Sequence, residues 1–353
     1  MAALGKRSAS CQAATVGRAN PERIRRKMER MRLLVLGGTQ FVGRHLVAEA
    51  LRRGHEVSLF HRGRTNADLF PEAEHILGDR LEDVSALTGT WDAVVDVSAY
   101  VPRAVDMMMS QLAGRASTYQ FVSTISVYEP EFTGLMDENA PRVPAPEPPT
   151  EEITPMTYGA LKTACEDALD AWNGPVQIVR PGLIIGSHDA TERYPYWPWR
   201  MQRGGDVLVP ETRQPIQWVD ARDLTGWMLD LLSTDATGPF NAVGPYDFTT
   251  LPDLVKATRD VVNPSANLVM VPEADLIAAE LGGADLPFWF AGAGRAGIMQ
   301  VNSDRAQAHG LRYRPVAESV HDTLTWWNET RGEAKPKNGL TPEREAELLA
   351  RFA

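Results

Sequence analysis

The sequence predicts an α/β fold, a doubly wound parallel sheet followed by a smaller C-terminal lobe. Three observations predict it: short continuous apolar runs, helical periodicity between them, and a glycine turn joining the first run to the first helix. The length agrees, since 353 residues at roughly 150 residues per domain suggest two lobes. A hydrophobic share of 43% is ample for a core and excludes wholesale disorder.

Leu33-Leu34-Val35-Leu36 is the first apolar run, as expected of a strand buried on both faces. After Gly37-Gly38, the apolar residues Phe41, Val42, Leu46, Ala50 and Leu51 recur at helical spacing until Gly54 stops the helix. Val57–Phe60, His75–Leu77, Ala93–Val97 and Tyr119–Val122 read as further strands, with a helix over 102–112. Residues 129–155 hold seven prolines and no apolar period, which predicts a long surface loop. Thr157 then caps a helix to about Trp172, and Val176–Val179 is a sixth strand. Beyond Pro181 the pattern loosens into the second lobe.

Composition closes several function classes. No run of 18 apolar residues exists, so no membrane span is expected. Cys11 and Cys165 build neither a disulfide framework nor a zinc site, which points to a reduced compartment, the cytoplasm. The seven histidines show no ligand spacing, so no metal is expected. The formal charge of −10 argues against nucleic acid as a general partner. It is unevenly spread: residues 1–30 carry eight Lys/Arg against two acids, a balance of +6, which leaves −16 for the rest. That basic opening lacks the apolar stretch of a secretory signal and reads as a disordered extension outside the fold. An organelle transit peptide or a nucleic-acid arm are the alternatives.

The glycine turn is where a dinucleotide would sit. Gly37, Thr39, Gln40, Phe41, Val42 and Gly43 span a strand-to-helix junction, whose free N–H groups and positive dipole end suit a pyrophosphate. NAD sites place an acid at the end of the second strand. Here Phe60-His61-Arg62-Gly63-Arg64 offers two guanidinium groups that match a 2′-phosphate, so NADP is expected over NAD. Asp79, after the third strand, is a candidate for the adenine edge or a cap of its own turn. Ser98 and Ala99 close the fourth strand as small residues suited to close approach of a cofactor.

Tyr158 and Lys162 lie four residues apart, on one face of a helix. A free tyrosine, with a pKa near 10, is a poor base at neutral pH. A nearby ammonium and a nicotinamide cation would favour its phenolate, letting it exchange a proton with a carbinol oxygen. Lys162 could also hold the nicotinamide ribose, and Thr124, just past the fifth strand, could hydrogen-bond the same oxygen.

These segments, with Ser123 to Tyr128, Arg180-Pro181-Gly182, Trp218 to Leu224, Pro239 to Gly244 and Asn302 to Arg305, resemble the extended short-chain dehydrogenase/reductases, the NAD-dependent epimerase/dehydratase family. The resemblance covers about residues 31–331. It implies a Rossmann-type NAD(P)-binding domain over 31–180, with later strands returning from about 216–245. It further implies a C-terminal substrate-binding lobe mainly over 181–331; beyond it, residues 332–353 are polar and read as a tail with one short helix near Pro342–Phe352. Thr124, Tyr158 and Lys162 match the catalytic positions, and a homodimer is expected by analogy.

The departures refine this. Gln40 replaces the middle glycine of the usual turn, which looks more like an atypical subgroup that includes plant proteins binding stem-loop RNA. Ile125-Ser126 stands where dehydratases carry Asp-Glu, so no acid is placed to expel water. Gln214-Pro215, beside Arg213, replaces the Arg-Asp pair of many nucleotide-diphosphate binders, which weakens a nucleotide-sugar substrate. The expected function is an NAD(P)-dependent oxidoreductase acting on a small carbonyl or secondary alcohol, sugar-derived in one version. It would be a reductase, or an epimerase with tightly held cofactor, a nucleotide-sugar 4-epimerase among these. The alternative of another class is an RNA-binding or redox-sensing protein on the same fold. Tyr194 to Trp199 would either line the substrate mouth or pack the lobe, and Phe288-Trp289-Phe290 reads as lobe core.

Overall fold

The computed structural model describes residues 30–132, 134, 136–244, 249–292 and 299–352. Nearly all of the basic segment 1–30 therefore lies outside the described residues.

The main sheet has seven parallel strands. They are β1 (Arg32–Leu36), β2 (Glu56–His61), β3 (Glu74–Leu77), β4 (Trp91–Asp96), β5 (Ala116–Val122), β6 (Val176–Pro181) and β10 (Gly238–Ala242), in the order β10-β6-β5-β4-β1-β2-β3. The chain runs outward from β1 to β3 and then crosses back to β4, so the order reverses between β1 and β4. A crevice opens there beyond the carboxyl ends of the strands. The register brings Leu36 level with both Phe60 and Asp96. Along β1, Leu33 and Val35 enter one core while Leu34 and Leu36 enter the other, which is why this strand reads as an unbroken apolar run.

Helix α1 (Phe41–Arg52) packs beside α5 (Ala221–Leu232) on one face, and α2 (Pro102–Leu112) beside α3 (Tyr158–Ala168) on the other. Thr157 stands before α3 without capping it, because its Oγ1 donates to the Glu152 carbonyl at 2.6 Å. Between them lie β7 (Leu183–Ile185), α4 (Tyr196–Gln202), β8 (Asp206–Glu211) and β9 (Trp218–Asp220). Of the returning segment, β10 extends the main sheet beyond β6, whereas β9 pairs with β7 in a separate ladder.

The second lobe joins β8 to β11 (Asn267–Pro272), with α6 (Leu251–Val262), α7 (Glu273–Ala278) and α9 (Val316–Thr330) as its later helices, while α8 (Asp304–Ala308) returns to the main sheet and packs on β10, Ala306 entering the core that holds Val35. Tyr194, Tyr196, Trp197 and Trp199 are buried in its core, so this run packs the lobe and does not line the substrate mouth. The helix expected near the C-terminus forms as α10 (Pro342–Phe352), but it does not trail as a tail. Buried Glu345 pairs with Arg200 and accepts from the Leu208 amide, and Leu348 enters the lobe core.

Candidate active site

The glycine turn is closed to side chains. Gly37 and Gly38 adopt φ of +106° and +99°, a region that favours glycine. A Cβ on Gly37 would meet Val97 and Ser98 at 3.1 Å, and one on Gly43 would meet the Gly38 backbone at 2.8 Å. The start of α1 has neither a side-chain cap nor an acid in its first turn, so its N–H groups remain available to an anion. Gln40 has φ −134° and ψ 146°, an extended conformation open to any residue. Losing the middle glycine thus costs no strain at that position; the strained residue is its neighbour Phe41, at φ +33°. Thr39 is buried and Val42 half-buried in the same turn.

Beside the turn, the carboxylate of Asp96 is fully buried. It accepts from the Ser98 and Ala99 amides at 3.0 and 3.1 Å, from the Tyr119 hydroxyl at 2.8 Å and from Arg80 at 3.0 Å. Ser98 also donates its hydroxyl to the Leu36 carbonyl at 2.9 Å. Both small residues are thereby pinned over Gly37, and Ser98's hydroxyl is engaged within the fold. Across the crevice Arg62 and Arg64 are exposed, and Arg62 lies 3.9 Å from Asp79. Asp79 caps its own turn, accepting from the Leu81 amide at 3.1 Å.

The Lys162 ammonium is 3% exposed and donates to the carbonyls of Ala99 and Val122 at 2.8 and 2.7 Å. Burial lowers its pKa from 10.5 to about 8. Tyr158 corrects the expectation that its lysine neighbour lowers it. Burial, with Tyr100 beside it, pushes the phenol up to about 12, against the opposing pull of a Thr124 hydrogen bond and the Arg193 charge. The ammonium sits against two carbonyls at the strand ends, so desolvation of the phenol dominates.

Below them Glu166, on α3, binds the ends of two strands together. It accepts from Ser123 at 2.5 Å, from Arg180 at 2.6 and 2.9 Å and from Arg142 at 3.0 Å. Because Ser123 precedes Thr124, and Glu166 shares α3 with Tyr158, this network fixes the two hydroxyls relative to one another.

Thr124 and Tyr158 open on a cavity of about 640 Å³, walled by Ile125, Val143, Met156, Leu183 and Phe290 among others. That volume lies in the range of small-molecule sites. Phe288 and Trp289 are buried in the lobe core as expected, and half-buried Phe290 packs against that core while also lining this wall. The structure thus gathers Thr124, Tyr158 and Lys162 at one place and the turn residues with Ser98 and Ala99 beside them; Arg62 and Arg64 stay at the rim. Sequence reasoning missed Asp96, an acid at the end of an otherwise apolar strand, and Arg193, which carried no recognisable signal.

The fold is Rossmann-type, one shared by solved epimerases and dehydratases. The crystal structure of UDP-glucose 4-epimerase superimposes with a TM-score of 0.64 at 16% identity, covering 88% of this chain and 99% of that one. The Bordetella bronchiseptica enzyme WbmG, in complex with NAD and UDP, gives 0.64 at 17% identity, covering 87% and 96%. The chain belongs to the NAD dependent epimerase/dehydratase family, whose pattern matches residues 33–244. Epimerase family protein SDR39U1 of Bos taurus is 26% identical over 245 residues, 64% of this chain and 79% of that protein. The chloroplast stem-loop binding protein of 41 kDa b from Arabidopsis thaliana is 23% identical over 247 residues, 64% of this chain and 62% of that protein. Among the described residues, no helix is long and apolar enough to cross a membrane.

Proposed function

We propose that this protein is an NAD(P)-dependent oxidoreductase acting at a secondary alcohol or ketone, working as a reductase or as an epimerase. The observation that carries the proposal is the meeting of Tyr158 and Thr124 at the cavity wall, with Lys162 fixed behind them. The residues present fit a dinucleotide, since the glycine cradle would be filled by any Cβ and the α1 N-terminus is uncapped. The turn from Gly37 to Gly43 would hold the pyrophosphate, and Lys162 keeps one N–H for a ribose hydroxyl. Bound there, a nicotinamide cofactor supplies or accepts the hydride.

The chain's own groups handle the oxygen. With its pKa pushed up to about 12, Tyr158 is protonated at neutral pH, the state that donates to a carbonyl oxygen as it gains negative charge. Thr124 orients that oxygen. Among the described lining residues there is no carboxyl group, so the site has no acid to expel water and dehydration is disfavoured.

Tyr158→Phe should lower turnover by about 10²–10⁴-fold with an unchanged melting temperature; undiminished turnover would show that the proton path is wrong. Mass spectrometry of the purified protein decides between the two redox versions. A retained dinucleotide favours the epimerase, and its absence with exchange in solution favours the reductase. RNA binding is a competing reading, supported by the name of the Arabidopsis relative. Filter binding at about 50 and 200 mM salt tests it, because phosphate contacts make affinity fall steeply over that range.

A further inference from the structure

The cavity's charge and lining define what it accepts. Among the described lining residues Arg193 is the single charged side chain, set in a wall that is otherwise mostly apolar. Ile153 and Met156 stand at the same wall, 53% and 83% exposed, and extend its apolar lining to the mouth.

Arg193 is held in place. Its Nε donates to Thr191 at 3.0 Å, and Thr191 is itself fixed by Asp189 at 2.7 Å. The guanidinium lies 5.5 Å from the centroid of Phe288, whose ring stacks on Tyr194 at 6.3 Å. Among the described residues no carboxylate comes within ion-pair distance of it, and neither terminal nitrogen has a hydrogen-bond partner. The backbone around it is strained: His188, Glu192 and Phe288 have φ of +64°, +54° and +71°, costly for residues with a Cβ. Such outliers cluster where a side chain must be aimed. Glu192 is anchored in that conformation by the Lys337 amide at 2.9 Å.

We propose that the substrate is a mostly apolar carbonyl compound, aromatic or branched, bearing one carboxylate that Arg193 binds in bidentate fashion. This rests on the oxidoreductase reading of the same site and deepens it. A guanidinium with two unengaged terminal nitrogens matches a carboxylate fork, and the apolar walls take the rest of the molecule. A nucleoside diphosphate fits less well, because it brings more than one negative charge to a single cation. Arg213, the other arginine considered for it, is exposed and absent from the described lining. Arg193 is thereby a specificity-determining residue.

Calorimetric binding of the three positional acetylbenzoates, acetophenone and UDP to the dinucleotide-loaded protein tests this. At least one acetylbenzoate should bind about tenfold or more tighter than acetophenone, and Arg193→Gln should erase that difference while leaving acetophenone binding unchanged. No preference, a preference that survives Arg193→Gln, or tighter binding of UDP than of every acetylbenzoate would overturn the proposal. Failure of the redox reading looks different: the carboxylate preference persists, yet the preferred probe oxidises neither NADPH nor NADH.

Discussion

Lys162 and Arg193 are cations on either side of the candidate site, one behind Tyr158 and one in the cavity wall, and their surroundings are opposite. Lys162 is 3% exposed and spends two donors on the carbonyls of Ala99 and Val122. Nearby Asp96 is equally enclosed, with four donors on its two oxygens. Arg193 is half-buried in an apolar wall, and its terminal nitrogens have no partner among the described residues. Under the proposed function the first region would meet an unchanging ligand, with its polar groups satisfied by the protein itself as a rigid frame. The second would discriminate between substrates, with donors left for the substrate to satisfy. Rigidity on one side and unspent hydrogen-bonding capacity on the other would then separate binding of cofactor from choice of substrate.

Breaking the frame should have the largest effect. Asp96→Asn leaves Arg80 buried without its counter-charge, and loss of one partner of such a pair costs about 3–5 kcal/mol. Urea unfolding should show that loss; a change below about 1 kcal/mol would mean that Asp96 does not hold the frame.

The Lys162 ammonium gives a pH signature of the same enclosure. Its folded pKa of about 8 lies below its ordinary 10.5, so between those values the unfolded chain binds more protons. Stability therefore rises with pH in that window, by at most about 1.4 kcal/mol per unit, and the burial penalty is fully present below it. Tyr158, raised to about 12, acts in the opposite direction only above its ordinary value of 10. Denaturation between about pH 8 and 9.5 should show a more positive slope of stability against pH in the wild type than in Lys162→Met, where the buried Cys165 thiol, pushed from 9 up to about 12, makes stability fall as pH rises.

Gly43→Ala tests the cradle more gently. Its methyl would meet the Gly38 backbone at 2.8 Å, an overpacking worth about 1–3 kcal/mol, and dinucleotide affinity should fall by about 10–100-fold. Dinucleotide binding by the variant at wild-type strength would show that the turn can spread. The smallest effect belongs to the exposed rim: Arg62→Ala should weaken NADPH by about tenfold and leave NADH unchanged. Equal binding of NADPH and NADH by the wild type would remove the case for a 2′-phosphate site.

What was legible in the sequence was local. Leu33 to Leu36, the glycines after it and the periodic residues of α1 sit within one stretch of chain, so their spacing specifies strand, turn and helix. Tyr158 and Lys162 share a helix face for the same reason, and Thr124 follows the strand they pack against. Residues 194–199 left two readings open because aromatic residues suit a ligand mouth and a core alike; only the contacts of Trp197 and Trp199 placed them inside. Arg193 was invisible. Its direction depends on left-handed Glu192, on the Phe288 ring and on an anchor from residue 337, none of which its neighbours in sequence announce.

By itself, then, the sequence determined the order of strands and helices, the glycine turn and the shared helix face of Tyr158 and Lys162, since each follows from periodicity or spacing within a few residues. The tertiary structure decided the direction of the pKa shifts and the lining of the cavity. Lys162 meets Ala99 across 63 residues of chain, and burial by such distant segments raises the Tyr158 pKa. The size of desolvation depends on which atoms surround a group in space, and that is fixed only when the sheet and the second lobe close over it.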